Sequence, residues 1–235
     1  MTLILALLAG VSAVVAGSLL GFVGWGLAAT LLVTLALIAF FFEFESGALG
    51  SKEIALVAML GTLSAAVRVP FAAIPGFQPS TYLIICAGYV FGPVAGFMVG
   101  ALTALISNFF LGQGPWTPYQ MLAWGLLGAG AAFLRRFNLG KVPLIAVGIL
   151  GGYLYGWMVN TWYWAAFIYP LTFRTFIVYQ MTSIWMDTFH AAGNALFLGL
   201  FGMKTIGILE RFRKRFNWRL SEDPARPVTD CGRPA

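Results

Sequence analysis

The chain is a succession of apolar runs, each longer than a β-strand and parted from the next only by short breaks of Gly, Pro and charge. These runs lack the alternation of a membrane barrel, so helices are the spanning element. Charge content points the same way. Only 9% of the 235 residues are charged and mean hydropathy is +0.87, against about 25% charged residues in soluble domains. The expected fold is an all-α membrane protein with about eight transmembrane helices and almost no soluble part.

Taken in order, Thr2–Phe22 and Leu27–Phe42 form an N-terminal helical pair within residues 1–46. No Lys or Arg precedes the first run, so a retained helix is expected rather than a secretory signal. Glu43, Glu45, Gly47 and Gly50 break the pattern. Ser51 then caps a third helix reaching Val69, with Glu53 in its first turn. Pro70–Ser80 is a proline-rich loop. Further helices are expected over Thr81–Phe91, Val94–Leu111, Pro118–Leu134, Val142–Ile168 and Phe176–Met203. The organisation is thus 1–46, a core over 51–203 and a basic tail over 204–235. In that tail Glu210–Leu220 reads as an interfacial helix and Ser221–Ala235 as disordered.

The net charge of +6 raises the question of nucleic acid, and the placement of the charges answers it. Lys52, Arg135, Arg136, Lys141, Lys204 and the tail fall on the side of the termini, whereas only Arg68 and Arg174 fall on the other. That asymmetry puts both termini in the cytoplasm and excludes a nucleic-acid surface. The loops Pro70–Ser80, Gly112–Thr117 and Tyr169–Thr175 then open outward. Cys86 in an apolar run and Cys231 in the tail sit at different depths, so neither a disulfide nor a CxxC metal site is expected.

Polar residues inside this apolar frame are the candidate site. The hairpin Asn108–Trp124 (NFFLGQGPWTPYQMLAW) combines helix breakers with hydrogen-bonding and amphipathic side chains. An interfacial aromatic belt explains Trp116 and Tyr119, and a helix cap explains Thr117 followed by Pro118. It explains Gln113 and Gln120 less well, because a carboxamide near lipid needs a partner. Asp187, His190 and Asn194 follow at i, i+3 and i+7 of the last helix, on one face; helix–helix hydrogen bonding and ligand contact both account for them. Arg68 either snorkels or anchors the adjacent loop, or else meets an anionic group. Small residues at four-residue spacing, Ala58, Thr62 and Ala66 beside Gly61 and Ala65, allow close approach of another helix. GxSxG, HExxH and Walker sequences are all missing, so neither an enzyme nor a self-powered ATPase is expected, and no cofactor or metal is called for.

The stretch SKEIALVAMLGTLSAAVRVPFAAIPGFQPSTYLIICAGYVFGPVAGFMVGALTALISNFFLGQGPWTPYQMLAWGLLGAGAAFLRR resembles the S components, the substrate-binding membrane subunits, of energy-coupling factor (ECF) vitamin transporters. Its most specific parts are GQGPWTPYQM and FGPVAGFMVGALTALISN, and the likeness continues to Met203. The resemblance implies a six-helix core, here preceded by the helical pair as in corrinoid-linked members, in a prokaryotic plasma membrane. It implies capture of a micronutrient at the outer face and delivery with a T component and two cytoplasmic ATPases. The implied docking stripe is Ala58, Gly61, Thr62, Ala65 and Ala66, and the implied lid is Pro70–Ser80. The expected substrate-contacting set is Gln78, Asn108, Gln113, Trp116, Thr117, Tyr119, Gln120, Trp124, Asn160, Asp187, His190 and Asn194. Aromatic residues crowd the outer half of the helices and suit either a flat or bulky organic ligand or an interfacial belt; the resemblance to corrinoid-linked members implies cobalamin or a corrinoid precursor as the first choice and another vitamin as the second. An autonomous transporter or channel, and a scaffold whose basic tail meets anionic lipid, are the competing classes.

Overall fold

A computed structural model describes residues 11–12, 14–17, 19, 24–46, 51–138 and 140–215. The described residues are almost entirely helical. Helix α1 is Trp25–Ser46, α2 Ser51–Arg68, α3 Ser80–Phe91, α4 Pro93–Leu111, α5 Thr117–Leu134 and α6 Lys141–Phe167. A short α7, Phe173–Thr182, precedes α8, Ile184–Phe197, which passes through a π-helical turn at Leu198–Gly202 into α9, Met203–Arg215. Four segments are long and apolar enough to cross a bilayer: Ser51–Ala73, Pro93–Leu111, Lys141–Phe167 and Ile184–Arg215. The shorter apolar helices Gly26–Phe42 and Ser80–Phe91 accompany them. Large apolar side chains such as Phe109, Phe110, Trp185 and Val142 point outward, as they do where the solvent is lipid. The protein is an all-α membrane protein.

Helix starts follow local chemistry. Pro93 and Pro118 sit in the first turns of α4 and α5, where a missing N–H costs nothing. Two boundaries differ from the sequence expectation. Thr117 is not the cap of α5: Trp116 occupies that position, and the Thr117 hydroxyl instead donates to Gln113 Oε1 at 2.9 Å and accepts from Asn108 Nδ2 at 2.9 Å. Tertiary partners outcompete the local backbone for that hydroxyl. The run expected as one helix over Phe176–Met203 starts earlier, where Thr172 and Thr175 form a reciprocal capping box, and is interrupted at Ser183.

The basic segment after Met203 also continues the last helix rather than leaving it, as far as Arg215. The first apolar run lies largely outside the described residues, as do Gly47, Gly50, Cys231 and everything beyond Arg215. Cys86 is buried, with its thiol 3.8 Å from the Gly202 carbonyl.

The core forms where α3, α4 and α5 meet. Trp124, Phe97, Ile84, Ile85, Val90 and Val99 are fully enclosed there, and Phe40 of α1 stacks on Phe97 at 3.8 Å. The three helix backbones touch directly through Gly88, Gly96 and Gly128. A Cβ on Gly96 would fall on the Gly128 carbonyl and on Gly88 Cα at 2.6 Å, and one on Gly128 would fall on the Gly96 carbonyl. In lipid, where apolar burial gives little drive between helices, such close backbone contact is a main source of association. Gly128→Val should therefore lower the melting temperature of the purified protein by an amount equivalent to about 1–3 kcal/mol. Gly130→Ala, at a position with open space around it, should leave the melt unchanged.

Candidate functional site: a polar cavity at one end of the bundle

Loop 69–79, loop 112–116 and loop 168–172 gather at the same end of the helices, away from Glu53, Arg135, Lys141 and Lys204. A cavity of about 350 Å³ opens beneath the first of them. It is bounded by the last turn of α2, the first turns of α5 and α8, and the second half of α6.

Arg68 ends α2 and is buried at 8% exposure. Its Nε donates to Gln78 Oε1 at 2.9 Å; its Nη1 donates to Ser107 Oγ at 2.5 Å and to Asn108 Oδ1 at 2.8 Å. The guanidinium lies 4.8 Å from the centre of the Trp124 ring, a cation–π distance. No carboxylate among the described residues pairs with it. A charge taken out of water without a counter-ion is costly unless hydrogen bonds surround it. Here neutral oxygens do so on three of the five N–H groups, and the cavity meets the rest.

Trp124 anchors a second chain. Its Nε1 donates to Thr81 Oγ1 at 2.9 Å, and Thr81 Oγ1 lies 2.7 Å from His190 Nε2. Indole only donates, so Thr81 Oγ1 accepts from Trp124, and the same hydroxyl is shared with His190 Nε2. Tyr155 is wedged between, stacked on Trp124 at 4.5 Å and edge-on to His190 at 4.9 Å.

Across the cavity, Asp187 is 4% exposed, and its Oδ2 accepts from Ser183 Oγ at 3.0 Å. Ser183 Oγ in turn accepts from Asn160 Nδ2 at 2.6 Å, and Asn160 also donates to the fully buried Gln180 at 3.1 Å. The break between α7 and α8 falls at Ser183, whose side chain is committed to this cluster. Gly156 makes the room: a Cβ there would collide with Asp187 Oδ1.

Of the residues the sequence singled out, the structure brings Gln78, Gln120, Asn160, Asp187 and His190 to the cavity wall. Asn108 and Trp124 lie one layer behind, in contact with Arg68. Thr117 sits behind Asn108, and Gln113 behind Thr117, with Gln113 Nε2 donating to the Leu105 carbonyl at 3.0 Å. Trp116 packs edge-on to Trp162, and the Tyr119 hydroxyl is 3.5 Å from Thr30 Oγ1 of α1, both away from the cavity. Asn194 donates to the Gly148 carbonyl at 3.0 Å, and its Oδ1 is buried without a partner, below the site. Sequence reasoning left Arg68 between a structural and a ligand role, kept Tyr155 and Ser107 out of the expected contact set, and passed over Thr81, Gln180 and Ser183. Arg68 carried a signal, as a lone charge deep in an apolar stretch. The hydroxyl residues carried none.

The geometry belongs to a membrane protein with a partly open pocket at one end, walled by both apolar and polar side chains. The chain matches the family described as "ECF transporter, substrate-specific component" over residues 52–218, and it belongs to that family. Its members are subunits of a transporter rather than enzymes. No curated protein and no solved structure matches the chain.

The Trp124–Thr81–His190 chain can be tested directly. Thr81→Val keeps the shape but strands two buried nitrogens, at about 1–3 kcal/mol each, so a marked drop in thermal stability is expected. Thr81→Ser, which keeps the hydroxyl, should melt close to the parent protein.

Proposed function

We propose that this chain captures a compact organic micronutrient in the cavity under loop 69–79 and delivers it as one subunit of an ECF transporter. The observation that carries the reading is the pairing of family membership with a cavity holding a buried arginine that has no carboxylate partner among the described residues. Burying such a group is costly, and a ligand that completes its hydrogen bonds offsets that cost. Basic residues crowd the opposite end of the bundle, which supports termini in the cytoplasm of a prokaryotic cell and a cavity that loads from outside. The loop then acts as a lid.

Size bears on the substrate. At about 350 Å³ the space lies near the lower end of ligand sites, roughly 300–1,000 Å³. A corrin macrocycle with its side chains is larger than that, so a compact vitamin is the better-supported ligand, and cobalamin would require the loop to stand well away. Gln78, Gln120, Asn160, Asp187 and His190 are the proposed contacts, joined by Arg68 and Tyr155.

Delivery would use a membrane T component and two cytoplasmic ATPases. For docking, the small-residue stripe of α2 divides in two. Gly61 and Ala65 are buried within the chain, Gly61 so close to Leu102 that a Cβ would stand 2.8 Å from Leu102 Cβ. Ala58, Thr62 and Ala66 are exposed on the outer surface of the helix. The exposed stripe is the proposed docking face. Ala58→Trp should abolish co-purification with the T component while leaving ligand-induced thermal stabilisation intact. Ala65→Trp should instead destabilise the isolated subunit. Equal co-purification of Ala58→Trp and the parent would remove the docking assignment.

A further inference from the structure

The hydrogen bonds around the cavity run in one direction at each end, and this direction specifies the ligand. An arginine can only donate. Gln78 and Asn108 must therefore turn their amide oxygens to Arg68, as they do at 2.9 and 2.8 Å. With its oxygen committed, Asn108 donates from Nδ2 to Gln120 Oε1 at 2.8 Å. Gln78 and Gln120, both on the cavity wall, are thereby left with their amide N–H groups, and Tyr155 lines the same wall. The Nη2 edge of Arg68 has no protein partner among the described residues. This end of the cavity is rich in donors and carries a positive charge.

A carboxylate can only accept, and the opposite end reverses the pattern. The Ser183 hydroxyl accepts from Asn160 Nδ2 at 2.6 Å and faces Asp187 Oδ2 at 3.0 Å and the Gln180 carbonyl at 3.1 Å as acceptors. Asn160 Nδ2 spends its two protons on Ser183 and Gln180, leaving Oδ1 as a free acceptor. Asp187 Oδ1 has no protein donor among the described residues. Arg68 and Asp187 line the same cavity yet make no ion pair with each other.

Taking the cavity as the micronutrient site proposed above, we infer that its ligand is a compact bipolar molecule. An anionic oxygen group, carboxylate-like, meets Arg68 and Gln120, and an ammonium or N–H donor group meets Asp187 and Asn160, with the flat middle against Tyr155. Each end then supplies what the other lacks, and both buried charges gain a partner on binding.

The test is equilibrium binding to the full chain in lipid nanodiscs. The probes are two acid–donor molecules with neutral counterparts, biotin with biotin methyl ester and pantothenate with panthenol. Riboflavin, thiamin and cobinamide serve as ligands lacking the acid group. Saturable binding of an acid probe is expected, weakened about tenfold or more in its neutral counterpart and to a similar extent by Arg68→Gln or Asp187→Asn. The ligand-side comparison needs no variant to fold. Binding confined to riboflavin, thiamin or cobinamide, or equal binding of acid and neutral forms, overturns the bipolar class and leaves the transporter-subunit reading standing. Failure of every probe to bind overturns the bipolar class and the assignment of this cavity as the micronutrient site.

Discussion

The arrangement depends on one charge in the wrong solvent. Arg68 closes α2 inside a helix bundle bathed in lipid, with no carboxylate paired to it among the described residues. Its tolerance rests on oxygens from two other elements, Gln78 of the loop and Ser107 and Asn108 of α4, and on the face of Trp124 from α5. Because guanidinium groups only donate, those partners have one orientation each, and the constraint passes outward from Asn108 to Thr117 and Gln120. The hairpin between α4 and α5 is shaped by that network as much as by its prolines.

Close packing is what lets such a network be built at one end only. Through Gly88, Gly96 and Gly128 the backbones of α3, α4 and α5 come into contact, leaving a dry core below and a wedge of space above, where the helices part toward the loops. On the far wall α6 and α8 repeat the device, with Gly148 and Gly152 against α8 and Gly156 yielding to Asp187. The polar side chains of the cavity sit where the helices diverge, while Asn194 is buried lower down, where α6 and α8 touch at Gly148. Helix α2 spans both regimes: its last residue is the buried Arg68, while Ala58, Thr62 and Ala66 form an exposed stripe along its outer face. A single rigid rod thus carries the proposed ligand contact and the proposed docking face.

Hydropathy and helix-breaking residues made the membrane fold legible, and with it the starts of α3, α4 and α5 to within a residue. These properties are local, written in periodicity and in Pro and Gly. The i, i+3, i+7 spacing of Asp187, His190 and Asn194 on one face was legible for the same reason. Their separation was not: Asp187 and His190 reach the cavity while Asn194 turns to Gly148. The break at Ser183 escaped notice because its cause, the hydrogen bond from Asn160, comes from 23 residues away.

What the sequence determined by itself is therefore the solvent, the helical class and the segregation of basic residues to one end, since each follows from free energies summed along a local stretch. The tertiary structure alone decided which of the two small stripes of α2 is covered, which glutamine faces the cavity, and that Arg68 and Asp187 share a pocket without pairing. Those outcomes turn on helix rotation and on contacts between residues as far apart as Thr81 and His190. A rotation of one residue about a helix axis, about 100°, exchanges a buried face for a lipid-facing one without changing any local property of the sequence.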